Sequence, residues 1–347
     1  MKLVTYRFHS SNRHPQSIAA HDRAGLLAGE HVIDLARAFA WHEHANGRRC
    51  DEAHVQDLYG HGILGFIEHA GRARPVADEL LQLHARAALP ERFDAAPLAT
   101  KLDEVTLRAP IPRPPSMRDG YAFRQHVETA RKNRGLEMIP EFDQFPVFYF
   151  TNHQAVVGPG DVHVRPLHTD RLDYELEAAI VIGREASDVP AAEADSLIFG
   201  MTIMNDFSAR ALQMEEMKLS LGPAKGKDFA TGIGPYVVTM DELAPRVVRT
   251  EHGHQYDLSM RARVNGKELS SGNLKDMTWT FAQIIERASY GVTLQPGDVI
   301  GSGTCGTGCL LELNGSKVTD NLWLKPGDIV ELEIDGLGIL RNRIVAA

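Results

Sequence analysis

The chain has 347 residues, 43% hydrophobic and 24% charged, which are ordinary globular proportions with room for one large domain and a smaller one. Lys and Arg number 37 against 46 Asp and Glu, a formal net charge of −9 without a basic run, so neither nucleic acid nor an anionic membrane is an expected partner. No apolar stretch is long enough to span a bilayer, Met1–Arg7 is not the start of a signal peptide, and three cysteines make no disulfide framework; the expectation is a soluble, cytoplasmic protein.

In chain order, Lys2–Arg7, Gly25–Leu27 and His31–Leu35 read as short strands. Residues 51–90 carry helical periodicity through Leu58, Ile63, Phe66, Leu80, Leu81 and Leu83. Arg108–Pro115 then places four prolines within six residues, an extended and rigid stretch that suits a domain junction. The expected division is a small N-terminal domain over 1–108 and a larger domain over 109–347. Beyond the junction, Ala178–Ile182 is a continuous apolar run closed by Gly183, as a buried strand would be, and Leu197–Met204 and Pro235–Met240 read similarly. Pro-Gly-Asp turns at Pro159–Asp161, Pro296–Asp298 and Pro326–Asp328 introduce further strands. Many short strands without a βαβα rhythm predict an α+β, mostly β architecture: a rolled, mostly antiparallel β structure with a few helices.

Several apparent motifs fail on context. Gly301-Ser-Gly303-Thr-Cys-Gly306 matches a dinucleotide fingerprint, but the following Thr307–Leu313 reads as loop then strand where a helix is needed. Gly222–Asp228 has three residues between its glycines and Asp where a phosphate loop needs Ser or Thr. His42/His44 and His252/His254 sit in no zinc motif and are expected as exposed loop histidines. Cys305 and Cys309 are expected as buried small thiols.

The acids are more informative. Glu175 and Glu177 are two apart at the opening of the apolar strand, so they project to one face, where their repulsion is best tolerated with a cation between them. Taken alone, the pair also fits an exposed strand end. Asp206 follows another apolar strand and reads by itself as a helix N-cap. If the segment from Asp119 is helical, Asp119 and His126 lie two turns apart on one face. Hard oxygen ligands of this number suit Mg²⁺, Mn²⁺ or Ca²⁺ better than zinc.

Asp119 with Arg124-Gln125-His126, then Asp173-Tyr-Glu175-Leu-Glu177, Met204-Asn-Asp206-Phe-Ser-Ala-Arg210 with Gln213, Lys225-Gly-Lys227-Asp-Phe-Ala-Thr231, and Gly301-Ser-Gly-Thr304 with Leu311-Glu312-Leu313 occur in one order. This series resembles the fumarylacetoacetate hydrolase family over roughly residues 105–347. The resemblance implies a mixed β-roll with a small N-terminal domain, commonly homodimeric, and a divalent metal, Mg²⁺ before Mn²⁺ or Ca²⁺, on Asp119, Glu175, Glu177 and Asp206. It implies His126 as general base oriented by Glu312, Lys227 as a catalytic cation, and Tyr121, Arg210, Gln213 and Thr304 lining the substrate pocket. The helix after His126 does not align cleanly with the family's substrate-binding arginine, and Arg131 and Arg134 are both candidates for it. Met217, Phe207 and Ala211 depart from residues usual in fumarylacetoacetases proper and leave the acyl group open. The implied activity is metal-dependent C–C bond hydrolysis of an anionic β-diketone or acylpyruvate, as in aromatic-compound and tyrosine degradation. The alternative is an oxaloacetate decarboxylase or keto–enol isomerase or hydratase. The His–Glu dyad favours hydrolysis because it activates water.

Overall fold

The computed structural model describes residues 1–9, 21–220 and 222–347. Its centre is the strand Leu176–Ile182, every residue of which is buried. Alternation explains that continuous apolar run. Leu176, Ala178, Ile180 and Ile182 enter one core, while Ala179 and Val181 enter another on the opposite face. The strand pairs antiparallel with Ile198–Asp206 and with Val299–Gly301.

These strands belong to a twelve-stranded sheet. On one side it continues through Thr231–Thr239 to Lys2–Phe8, Arg23–Ala28, His31–Asp34 and Ala99–Lys101; on the other it reaches Met117–Gly120 and Phe148–Phe150. Pairing is antiparallel except where Val299–Gly301 meets Met117–Gly120 and Val156–Val157 meets Thr231–Thr239. The N-terminal strands thus hydrogen-bond directly into the sheet of the later segment, with Lys2 opposite Val238. One face is covered by helices Leu35–Ala45, Glu52–Tyr59, Ile63–Glu68 and Ala70–Ala85, which contribute Phe39, Leu58, Phe66 and Leu80 to the core they share with Val181 and Val237. The other face packs on a five-stranded sheet of Gly160–Val164, Gly338–Ala346, Ile329–Ile334, Ser259–Val264 and Lys267–Asn273, through Met260, Ala262, Leu332 and Leu340. The architecture is the expected mixed β roll with helices.

Four local expectations change. Leu310–Gly315 is a helix where a strand was expected, because the buried Asp173 carboxylate accepts the Leu310 and Leu311 N–H groups at 2.7 and 2.9 Å and satisfies its first turn. The helix starts too late to meet a ligand held by Gly301–Gly306. Asp119 and His126 share no helix: Asp119 lies in the strand Met117–Gly120 and His126 in the helix Arg124–Lys132, with a short bend between. Asp206 closes its strand and caps nothing, since the next helix begins at Arg210. His42 lies buried on the helix Leu35–Ala45, beside Glu43 and Glu79, instead of in an exposed loop. Cys305 and Cys309 are buried thiols as expected. Among the described residues no helix is long and apolar enough to cross a membrane.

Candidate active site

Three strand ends deliver carboxylates to one point. Met117–Gly120 carries Asp119, Leu176–Ile182 begins beside Glu175 and carries Glu177, and Ile198–Asp206 ends on Asp206. All four side chains are buried. One oxygen each of Asp119, Glu175 and Glu177 lies within 4.8 Å of the others. Gly301 makes the convergence possible: a Cβ there would sit 2.4 Å from Asp119 Oδ1. The two-residue spacing of Glu175 and Glu177 does place them together, although Glu175 stands just before the strand and forms a bridge with Cys309.

Two cations meet these acids. Arg210 donates to Asp173 from Nε at 2.8 Å, to Glu175 from Nη2 at 2.7 Å and to Gln213 from Nη1 at 3.0 Å. The Lys227 ammonium donates to Glu175 and, at 2.5 Å, to Asp206. Thr304 donates to Glu177 at 3.1 Å, and the Gly303 N–H to Asp119 at 3.1 Å. Burial favours protonated Glu175, yet the charges of Lys227 and Arg210 outweigh it and hold this carboxyl well below the usual range. Burial likewise favours a neutral Lys227 amine, and the charges of Asp206 and Glu175 overrule it. Asp119 has the opposite fate: burial and the charge of Asp206 push it up to about 7. Glu177 rises too, through burial and then the Asp119 and Glu175 charges.

The cluster is therefore short of positive charge. Glu177 Oε2 and Asp206 Oδ1 are buried acceptors without a hydrogen-bond partner. Orphaned carboxylate oxygens facing an all-oxygen group fit a hard divalent cation on Asp119, Glu175 and Glu177, with Asp206 beside them.

The dyad is formed: His126 Nδ1 lies 2.7 Å from Glu312 Oε2, and Glu312 Oε1 accepts the Thr307 N–H at 2.9 Å. With a carboxylate accepting at Nδ1, the lone pair sits on Nε2. The Tyr121 ring stands edge-on to His126, centroids 5.8 Å apart. Arg131 and Arg134 bond within their own segment, to the Glu137 and Ala130 carbonyls. Burial first of all opposes ionisation of the Tyr121 phenol, while the charges of Arg134 and Arg210 favour it.

Tyr149 is a further residue of the site that the sequence pattern does not mark. The hydroxyl of this half-buried residue donates to Asp206, and the Lys227 ammonium lies 6.0 Å from its ring centre. Nothing in Phe148-Tyr-Phe150 signals this. Asp173, which seats Arg210 and the Leu310–Gly315 helix together, was legible as the third member of the alternation Asp173, Glu175, Glu177. A cavity of about 220 Å³ opens beside Lys227, lined by Tyr149, Thr151, Asn152, Pro223 and Lys225 among others.

The family described as "Fumarylacetoacetate (FAA) hydrolase C-terminal" matches residues 116–345. The chain belongs to the fumarylacetoacetate hydrolase family. Within the family it is 33% identical over 248 residues to oxaloacetate tautomerase YisK of Bacillus subtilis, covering 70% of this chain and 74% of that one. It is 31% identical over 263 residues to the human mitochondrial oxaloacetate tautomerase FAHD2A, covering 75% of each. Among solved structures, the fumarylacetoacetate hydrolase of Exiguobacterium antarcticum aligns with a TM-score of 0.66 at 25% identity, over 100% of both chains.

Proposed function

We propose that the protein is a divalent-cation-dependent enzyme interconverting the keto and enol forms of a small anionic 2-oxo diacid of the oxaloacetate type. The observation that carries this reading is the meeting of an oriented base with an acid cluster: His126, held by Glu312, offers a ligand atom within 4.8 Å of Glu175. Mg²⁺ or Mn²⁺ on Asp119, Glu175, Glu177 and Asp206 would supply a Lewis acid for negative charge on the substrate's paired oxygens. His126 Nε2 takes the proton from the carbon between the carbonyls, and the enolate oxygen gains a proton from the imidazolium or from water; the reverse sequence converts enol to keto. Glu312 keeps Nδ1 protonated and supports the imidazolium formed in between. Arg210 and Lys227 supply positive charge for a substrate carboxylate, with Gln213, Thr304 and Tyr121 around it.

The two named tautomerases support this order over the C–C hydrolysis favoured from sequence alone. Hydrolysis stands as the second reading, because the same His126–Glu312 pair activates water equally well. Following oxaloacetate enol decay with Mg²⁺ or Mn²⁺, beside pyruvate release from acylpyruvates and fumarylacetoacetate, separates the two. Fast enol–keto exchange with negligible cleavage is the expected result. Efficient cleavage with no acceleration of enolisation would give first place to hydrolysis.

A further inference from the structure

Cys309 takes no part in the proposed chemistry, yet it is fully buried against the site. One ligand atom each of His126, Glu175 and Cys309 lies within 4.8 Å of the other two. The backbone fixes this grouping, since Glu175 and Cys309 face each other across an antiparallel bridge and the Leu176 N–H donates to the Gly308 carbonyl at 2.9 Å. His126 is anchored through Nδ1 by the Glu312 carboxylate, so Nε2 is the nitrogen free to take a cation. A carboxylate behind a histidine is the usual outer partner of a metal-bound imidazole, fixing its tautomer and raising its basicity.

We propose that His126, Cys309 and Glu175 form a second, thiophilic cation site that takes Zn²⁺ or Cd²⁺ and thereby inhibits the enzyme. One nitrogen, one sulfur and one oxygen make a three-ligand set with a position left for water, unlike the all-oxygen group beside it. Glu175 serves both groups, and Arg210 and Lys227 do not exhaust it, because each carboxylate oxygen carries two lone pairs. On binding, the Cys309 S–H bond breaks, its proton leaves to solvent, and the sulfur electron pair forms the bond to the cation. Occupation engages the His126 lone pair, so inhibition follows whichever reaction that base serves. Excess Mg²⁺ does not reverse it readily, as hard cations compete poorly for sulfur.

The test is a Cd²⁺ titration of metal-depleted protein, followed by the ultraviolet thiolate-to-cadmium charge-transfer band. One equivalent should develop the band in the parent and in Cys305→Ser, and none in Cys309→Ser. His126→Asn should weaken Cd²⁺ binding tenfold or more while retaining the thiol. It decides the matter if Cys309→Ser does not fold. In saturating Mg²⁺, Zn²⁺ should inhibit the parent at concentrations at least tenfold below those needed for Cys309→Ser. Absence of the band in the parent, its persistence in Cys309→Ser, indifference to His126→Asn, or equal Zn²⁺ sensitivity would each overturn the site. The band reports binding alone, so failure of the tautomerase reading leaves it unchanged.

Discussion

Two buried carboxylate centres in this molecule are built on opposite principles. In the N-terminal segment, Asp34 is 2% exposed and fully served: it accepts from the Tyr6 hydroxyl at 2.8 Å, from Arg23 at 2.6 and 3.0 Å, and from the Arg37 N–H at 3.0 Å. Burial pulls its carboxyl up, but the Arg23 charge and hydrogen bonds win and hold it below the usual range. Asp119, Glu175, Glu177 and Asp206 are equally buried, share two cations, and leave two oxygens without partners. Burying a carboxylate is costly in both places. At Asp34 the chain itself supplies the compensation. At the acid cluster it withholds part of it, and the deficit is what the proposed divalent cation would make good.

The largest expected effect is on chemistry. His126→Ala removes the proposed base and leaves the carboxylates in place, so kcat should fall roughly 10²- to 10⁴-fold with Mg²⁺ affinity retained. Glu312→Gln should cost the same or less, and the double variant hardly more than His126→Ala alone, because the two act as a unit. Near-normal turnover in His126→Ala would remove the dyad from the mechanism.

The next pair of variants tests the contrast itself. Glu177→Gln should abolish Mg²⁺ binding and the activity it supports, yet leave the melting temperature of the metal-free protein unchanged or higher, since like charges are relieved. Asp34→Asn should do the reverse: full activity per folded molecule, and a loss of about 2–4 kcal/mol in denaturant unfolding as Arg23 loses its buried partner. Equal destabilisation by both would erase the distinction between the two centres. EDTA should abolish activity, with Mg²⁺ or Mn²⁺ restoring it.

Acid stability gives a third handle. The Asp34 carboxyl titrates lower in the folded than in the unfolded chain, so the unfolded state binds more protons. Its contribution is complete above an unfolded value of about 4 and fades as pH falls through the folded value. Asp34→Asn should therefore flatten the acid limb of stability against pH. An unchanged limb would dismiss Asp34 as its source.

The smallest effect belongs to Tyr149→Phe, which takes one donor from Asp206 and leaves Lys227 on it. A several-fold weaker Mg²⁺ response or drop in kcat/KM, with the fold intact, is the expected result. A loss as large as that of His126→Ala would give the phenol a place in the chemistry.

Much of this was fixed by local pattern. A strand buried on both faces must be apolar at every position, so Ala178–Ile182 announced its place at the centre of the fold. The alternation Glu175, Glu177 put two carboxylates on one side by backbone geometry alone. Tertiary structure decided the rest, because the partners are remote in sequence. The Leu310–Gly315 helix depends on Asp173, 137 residues away, and the dyad joins positions 186 residues apart. Tyr149 reaches Asp206 only because Phe148–Phe150 edges the sheet beside Met117–Gly120. Alternation sets the face on which a side chain emerges, whereas the charge it meets there depends on which strand ends the sheet brings together.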